Sequence, residues 1–304
     1  MTTSSESTEA TPPVVRGLLA VGFVFSIAEV TAWITVLVVA FDRGGAGAAG
    51  LAVVVQLVPT ALLAPVVTAA GDRFPRHLVL TVGFAVLATS ATGIAVSLAS
   101  SADLWVVLLL AVAYTVALES TPATVASLLV RHARTPTQLM QWNVAQSAAQ
   151  TAGSLLGPLL TSAVLVVAGP SWVFAVLAVM CAITAVGIAV RLPPDDRTTS
   201  ATGLRTVLRA SAAGVAYVAT TPGPRRVIAF IAASGLLIGS FDVFFVAVAF
   251  DELGRGGSAA AMLSAGFAAG GLVASTVMRR RSTWGLPAAT AAGALLLSLP
   301  LIPL

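Results

Sequence analysis

Apolar residues run along this chain in long blocks, broken by short junctions that carry Gly, Pro or charge. Each block is about as long as a helix that crosses a bilayer, roughly 20 residues. Apolar length read against that punctuation predicts spans at about 17–41, 46–70, 78–99, 104–130, 138–168, 171–190, 226–250, 258–278 and 284–304. The uncharged stretch from Thr135 to Val190 is too long for one span, and it divides at Gly169-Pro170, where a tight turn sends the chain back. Residues 1–15 are Ser/Thr-rich with Glu6, Glu9 and Pro12-Pro13, and read as a disordered cytoplasmic tail. They lack the basic n-region of a secretory signal, and the apolar run that follows is too long for a signal core.

Composition fixes the solvent. The chain has 304 residues, 58% of them hydrophobic and 9% charged, against roughly a quarter charged in a soluble domain. So little charge cannot cover a water-exposed surface, so the expected fold class is an all-α integral membrane protein. At this length the chain holds eight or nine spans and hardly twelve.

The basic residues are all Arg, which with the abundance of Ala, Gly and Val suggests a GC-rich bacterial source. They also set the topology, because short basic loops stay cytoplasmic. With the N-terminus inside, Arg16, Arg73, Arg76, Arg131, Arg134, Arg191, Arg225, Arg226 and Arg279 to Arg281 fall on the cytoplasmic side, together with Arg197, Arg205 and Arg209. Only Arg43 and Arg255 fall outside. This predicts a multi-pass protein of the cytoplasmic (inner) membrane. Nucleic acid is not an expected partner, since the Arg residues are dispersed among apolar runs and form no polar face. The single Cys181, inside an apolar run, supports neither a disulfide nor a metal site.

The longest polar segment, 191–224, is a central cytoplasmic loop. It holds a weak amphipathic stretch, with Leu204, Val207, Leu208 and Val215 opposite Arg205 and Arg209, and reads better as a connector than as a surface helix. It separates a six-helix bundle, 16–190, from a partial bundle, 225–304. The first span ends Val38-Val39-Ala40-Phe41-Asp42 and the seventh ends Ala247-Val248-Ala249-Phe250-Asp251, 209 residues later. At the same offset Asp72-Arg73 meets Arg281-Ser282, so the second part reads as a copy of the first in the same orientation.

The loop after span two reads Thr68-Ala69-Ala70-Gly71-Asp72-Arg73-Phe74-Pro75-Arg76-His77. An acid and two Arg in a tight turn can pair with one another and with helix ends, in contacts that hold one bundle arrangement and break in another. The alternative is a plain topology signal. The segment resembles the G-x-L-A-D-R-x-G-R-R signature of the major facilitator superfamily, with Asp72, Arg73 and Arg76 matching, and with Thr68, Pro75 and His77 departing from it. Glu119-Ser120-Thr121-Pro122-Ala123 in span four is similar to an element of the siderophore- and drug-exporter branch. Gly153-Ser154-Leu155-Leu156-Gly157-Pro158 in span five is similar to the G-x-x-x-G-P exporter motif, although Thr161-Ser162 replace the usual Gly-Gly. The resemblance implies a secondary transporter that moves a small solute by alternating access, most simply proton-coupled efflux of a drug-like or siderophore-like compound. It also implies twelve spans, so the chain is expected to be truncated after nine. Rival expectations are a membrane sensor or scaffold without flux, and an inactive truncated transporter.

Three carboxylates lie inside spans: Glu29 and Glu119 near the midplane and Asp242 nearer the outer face. A charge at the bilayer centre costs about 2.5–3.5 kcal/mol on insertion scales, so it is seldom idle. No Arg lies deep in a span, and the three acids must be protonated, solvated by water or hydrogen-bonded. They are the candidates for proton coupling or for attracting a cationic substrate, against a purely structural interhelical hydrogen bond. Span five adds Gln138, Gln146 and Gln150 on one stripe with Trp142, and Asn143 beside it. These amides line a water-filled cavity or act as packing glue, and the first is preferred because Gly153 and Gly157 already offer a packing surface. Gln56, Tyr114 and Trp33 are further lining candidates. No phosphate-binding loop, nucleophile elbow or His/Cys cluster is present, so neither catalysis nor a cofactor is expected.

Overall fold

The computed structural model describes residues 12–193, 209, 213, 214 and 216–280. The predicted ninth span, most of the amphipathic stretch in the central loop and residues 1–11 of the tail lie outside the described residues. The described residues form helices: α1 (Pro13–Arg73), α2 (Arg76–Ala99), α3 (Leu104–Leu118), α4 (Ser120–His132), α5 (Pro136–Val167), α6 (Pro170–Arg191), α7 (Pro222–Ala247) and α8 (Gly256–Arg280). A π-helical turn, Val248–Glu252, follows α7. Helices cover each of the first eight predicted spans, and five of them satisfy length and hydropathy criteria for crossing a membrane.

Spans one and two are the arms of α1, which folds back through Gly44-Gly45. Gly45 has φ of 64°, a left-handed conformation that a side chain would penalise, so the turn needs glycine there. Gly169, with φ of 83°, makes the equivalent turn before α6, and Pro170 then opens that helix. At the start of α5 the Thr135 side chain accepts a hydrogen bond from the Gln138 backbone N–H, and Pro136 supplies the preset first turn.

Span four runs as one membrane-length helical stretch, Leu104–His132, made of α3 and α4 with Glu119 between them in a helical conformation. Pro122 has no N–H to donate to the Leu118 carbonyl one turn back, so one backbone hydrogen bond is missing beside Glu119.

Lipid tails are as apolar as leucine, so packing inside a membrane rests on close fit, small residues and hydrogen bonds more than on the hydrophobic effect. The main core, built around Leu18, Phe84, Leu108, Tyr114, Leu129 and Phe174, belongs to helices within 13–192. The Tyr114 hydroxyl donates to the Ala28 carbonyl at 3.1 Å, tying α3 to α1. Helix α5 seats on the first arm of α1 through glycines: a Cβ on Gly153 would stand 2.6 Å from the Phe23 carbonyl oxygen. One on Gly157 would stand 3.2 Å from Thr31 Oγ1, whose hydroxyl donates to the Gly157 carbonyl at 3.1 Å.

A second cluster, including Leu37, Val38, Phe41, Val246, Ala249 and Ala260, joins the end of the first arm of α1 to α7, the π-turn and α8. The described residues of α7 and α8 contribute buried apolar side chains to this cluster and none to the main core. Two contacts here have a common spacing. Trp33 Nε1 donates to Asp242 Oδ2 at 2.8 Å, across a separation of 209 residues. Phe41 and Phe250, also equivalent under the sequence repeat, bring their ring centroids to 5.0 Å. Both pairs share the 209-residue offset of the sequence repeat, so α1 and α7 touch through positions that the repeat makes counterparts.

Candidate functional site

Beneath that apolar seal lies a cavity of about 640 Å³. Glu29, Glu119 and Asp242 all line it, so residues far apart in sequence and on three different spans reach one space. Glu29 and Glu119 are exposed to it, and neither has a hydrogen bond or ion pair with any described residue. They lie close enough to feel each other's charge. Asp242 is instead tethered by the Trp33 indole.

The three acids reach the cavity by different local means. Glu29 lies on an uninterrupted helical arm one turn from Trp33, so both project from one face. Glu119 sits between α3 and α4, one turn before Pro122, and both residues line the cavity. Asp242 is one turn beyond Gly239 on α7, and that glycine too is part of the wall. Across from them Pro158, inside α5, leaves the Ser154 carbonyl without its helical N–H donor, and Ser154 and Pro158 both line the cavity. Aromatic walls come from Phe25, Trp33, Tyr114 and Phe267. No Arg or His is among the lining residues.

Gln56 also lines the cavity; its amide donates to the Ala52 carbonyl at 3.2 Å and its carbonyl accepts from the Thr115 hydroxyl at 3.4 Å. The expectation for the span-five amides works out differently, because none of Gln138, Asn143, Gln146 and Gln150 is among the residues that line this space. Gln138 belongs to the start of α5, where its carbonyl accepts from the Arg134 backbone N–H at 3.1 Å. Asn143 faces a separate shallow cleft with Met140 and Ser147. Gln146 is buried with its amide against Gly22, and its Oε1 has no hydrogen-bond partner. Gln150 is half-buried further along the same helix. Gln146 thus faces the first arm of α1 at Gly22, about two turns before Ser154, where α5 meets the cavity.

In the loop between spans two and three, Arg76 Nη1 donates to the Ser127 carbonyl at 3.2 Å, so a guanidinium meets the C-terminal part of α4, where a cation is favoured. Asp72 and Arg73 are within α1, and their side chains lie outside the described residues. At the opposite end of the bundle Arg43 donates to the Ala102 carbonyl.

Apolar helices around a mostly apolar cavity that three carboxylates line are an arrangement suited to a solute carrier. The family model of the Major Facilitator Superfamily matches residues 18–304. The chain belongs to that superfamily and is a multi-pass secondary membrane transporter, whose kind binds small-molecule substrates. No individual curated protein matches it in sequence.

Proposed function

We propose that the protein is a proton-coupled exporter of drug-like organic cations in the cytoplasmic membrane, with its N-terminus inside. The observation that carries this reading is the gathering of Glu29, Glu119 and Asp242 around one cavity whose lining holds no basic side chain. Two carboxylates that repel each other in a confined space are relieved by a proton or by a cationic group, and the two compete for the same negative charge. That competition is enough to exchange one for the other across the membrane. The aromatic walls suit the apolar body of such a compound and add cation–π attraction. A siderophore-like substrate fits only where it carries a cationic group.

In this reading residues 16–190 and 225–304 form the two units that move, with the cluster around Phe41 and Phe250 closing the outer side. The Asp72, Arg73 and Arg76 segment holds the cytoplasmic side, which the Arg76–Ser127 contact supports. Gly153, Gly157 and Pro158 seat span five and bend it toward the cavity.

The test is flux in reconstituted vesicles with tetraphenylphosphonium as the probe cation and an imposed proton gradient. Gradient-dependent movement that is lost in Glu29→Gln and in Glu119→Gln is expected. Transport left intact in both variants refutes the coupling role. Binding of the probe without any flux favours a sensor or scaffold.

A further inference from the structure

A second cavity lies away from the site already described. It measures about 750 Å³ and lies between the first arm of α1 and α6, over a floor that includes Leu80 of α2. Its position gives it one membrane end, because the N-terminus of α1 and the C-terminus of α6 fall together there. Arg16 and Arg191 line it at that end, both exposed and neither with a side-chain partner among the described residues. Deeper, the walls are aliphatic, and Ile183 is 67% exposed. No acidic residue is among the lining residues.

The groove owes its space to glycine. Gly17 on α1 and Gly187 on α6 both line it, and a Cβ built on either would meet nothing within 4 Å. These glycines do not serve close helix packing, unlike Gly153 and Gly157; they keep a channel open. An apolar channel facing lipid will admit any acyl chain. Two guanidiniums at its mouth, with no carboxylate among the described lining residues, select what the chain is attached to: Arg holds a phosphate diester through paired N–H donors, and a headgroup without an amine leaves that charge uncompensated.

We propose that this groove is a binding site for one anionic glycerophospholipid, its acyl chain along Gly17 and Gly187 and its phosphate between Arg16 and Arg191. The inference is independent of the transport reading and of which membrane face the groove belongs to.

The experiment is native mass spectrometry of the full chain released from detergent micelles, with phosphatidylglycerol and phosphatidylethanolamine supplied together in equal amounts. The wild type is expected to retain one phosphatidylglycerol in preference to phosphatidylethanolamine. Arg16→Gln and Arg191→Gln should each reduce that preference by about fivefold. Gly17→Leu with Gly187→Leu should abolish retention of either lipid, and since nothing opposes the new side chains, its melting temperature should stay near that of the wild type. Equal retention of the two lipids by the wild type overturns the proposal, as does a preference that survives both arginine changes. So does free phosphate suppressing the preference while the leucine pair leaves it intact, which would mark an ion site without an acyl channel. A dimer in the spectrum that the leucine pair dissociates would mean that a second copy of the chain occupies the groove, and that too overturns it.

Discussion

Replacing Gly153 by Ala tests how α5 is held against α1. In an exposed helix interior Gly→Ala gains about 1 kcal/mol. At Gly153 the new Cβ stands 2.6 Å from the Phe23 carbonyl oxygen, 2.9 Å from Ser26 Cβ and 3.3 Å from the Ile27 nitrogen. A carbon normally keeps about 3.3 Å or more from a carbonyl oxygen, so the helices must part by about 0.7 Å. Two of the three obstructing atoms are backbone and cannot rotate away. Overpacking of this kind costs about 1–3 kcal/mol, and separation also stretches the Thr31–Gly157 hydrogen bond. The expected net effect is a loss of about 1–2 kcal/mol.

Gly50→Ala supplies the control, because that glycine is helical and its Cβ would meet nothing within 4 Å. The same chemical change should there be neutral or stabilising by up to about 1 kcal/mol. The chain carries its own reporter, since its one cysteine, Cys181, is fully buried and becomes reactive to a thiol-specific fluorophore only on unfolding. A thermal ramp of the purified protein with that dye should place Gly153→Ala below wild type and Gly50→Ala at or above it. If the two variants shift in the same direction by similar amounts, the close approach of α5 to α1 does not govern stability and the packing argument fails.

Four further substitutions test the cavity wall and the packing beside it. Trp33→Phe removes the donor to Asp242 and leaves a half-buried carboxylate oxygen unpaired, which should lower stability by about 1–3 kcal/mol in the same thermal assay, whereas Asp242→Asn keeps an acceptor for the indole and should change it little. Pro122→Ala restores an N–H to the Leu118 carbonyl beside Glu119; the protein should melt higher while probe flux falls, and an unchanged flux would show that the position of Glu119 does not depend on the missing hydrogen bond. Gln146→Leu removes a buried amide whose oxygen has no partner, so stability should be equal or greater with flux retained, and a selective loss of flux would assign Gln146 to the transport path after all.

The spans were legible in the sequence because a bilayer imposes one length and one composition on every segment that crosses it. The depth of Glu29, Glu119 and Asp242 followed from counting residues to the nearest loop, and these three share a cavity. What a one-dimensional reading misses is the direction in which a polar group faces. The amides of span five form a correct helical stripe, yet Gln146 on that stripe turns toward Gly22 and the cavity is met about two to three turns later at Ser154 and Pro158. Period alone names a face and leaves its neighbour open. Span four shows the converse: Pro122 costs one backbone hydrogen bond, yet Leu104–His132 still crosses as one helical stretch, because a membrane helix accommodates a proline locally.

Under the sequence repeat Trp33 and Asp242 are counterparts, and where counterparts on two related helices meet, an identical pair must be compatible with itself. Two phenylalanines satisfy that condition, and Phe41 and Phe250 have remained alike. Two aspartates at the level of the cavity would face one another as like charges, and two tryptophans would offer two N–H donors and no acceptor. A tryptophan facing an aspartate supplies one donor and one acceptor, and that is the arrangement found. Asp242 is thus satisfied by a contact between α1 and α7, while Glu29 and Glu119 keep no partner among the described residues. Any movement that parts α7 from α1 at Trp33 must first break that bond, and under the proposed function the third carboxylate then becomes available to a bound cation.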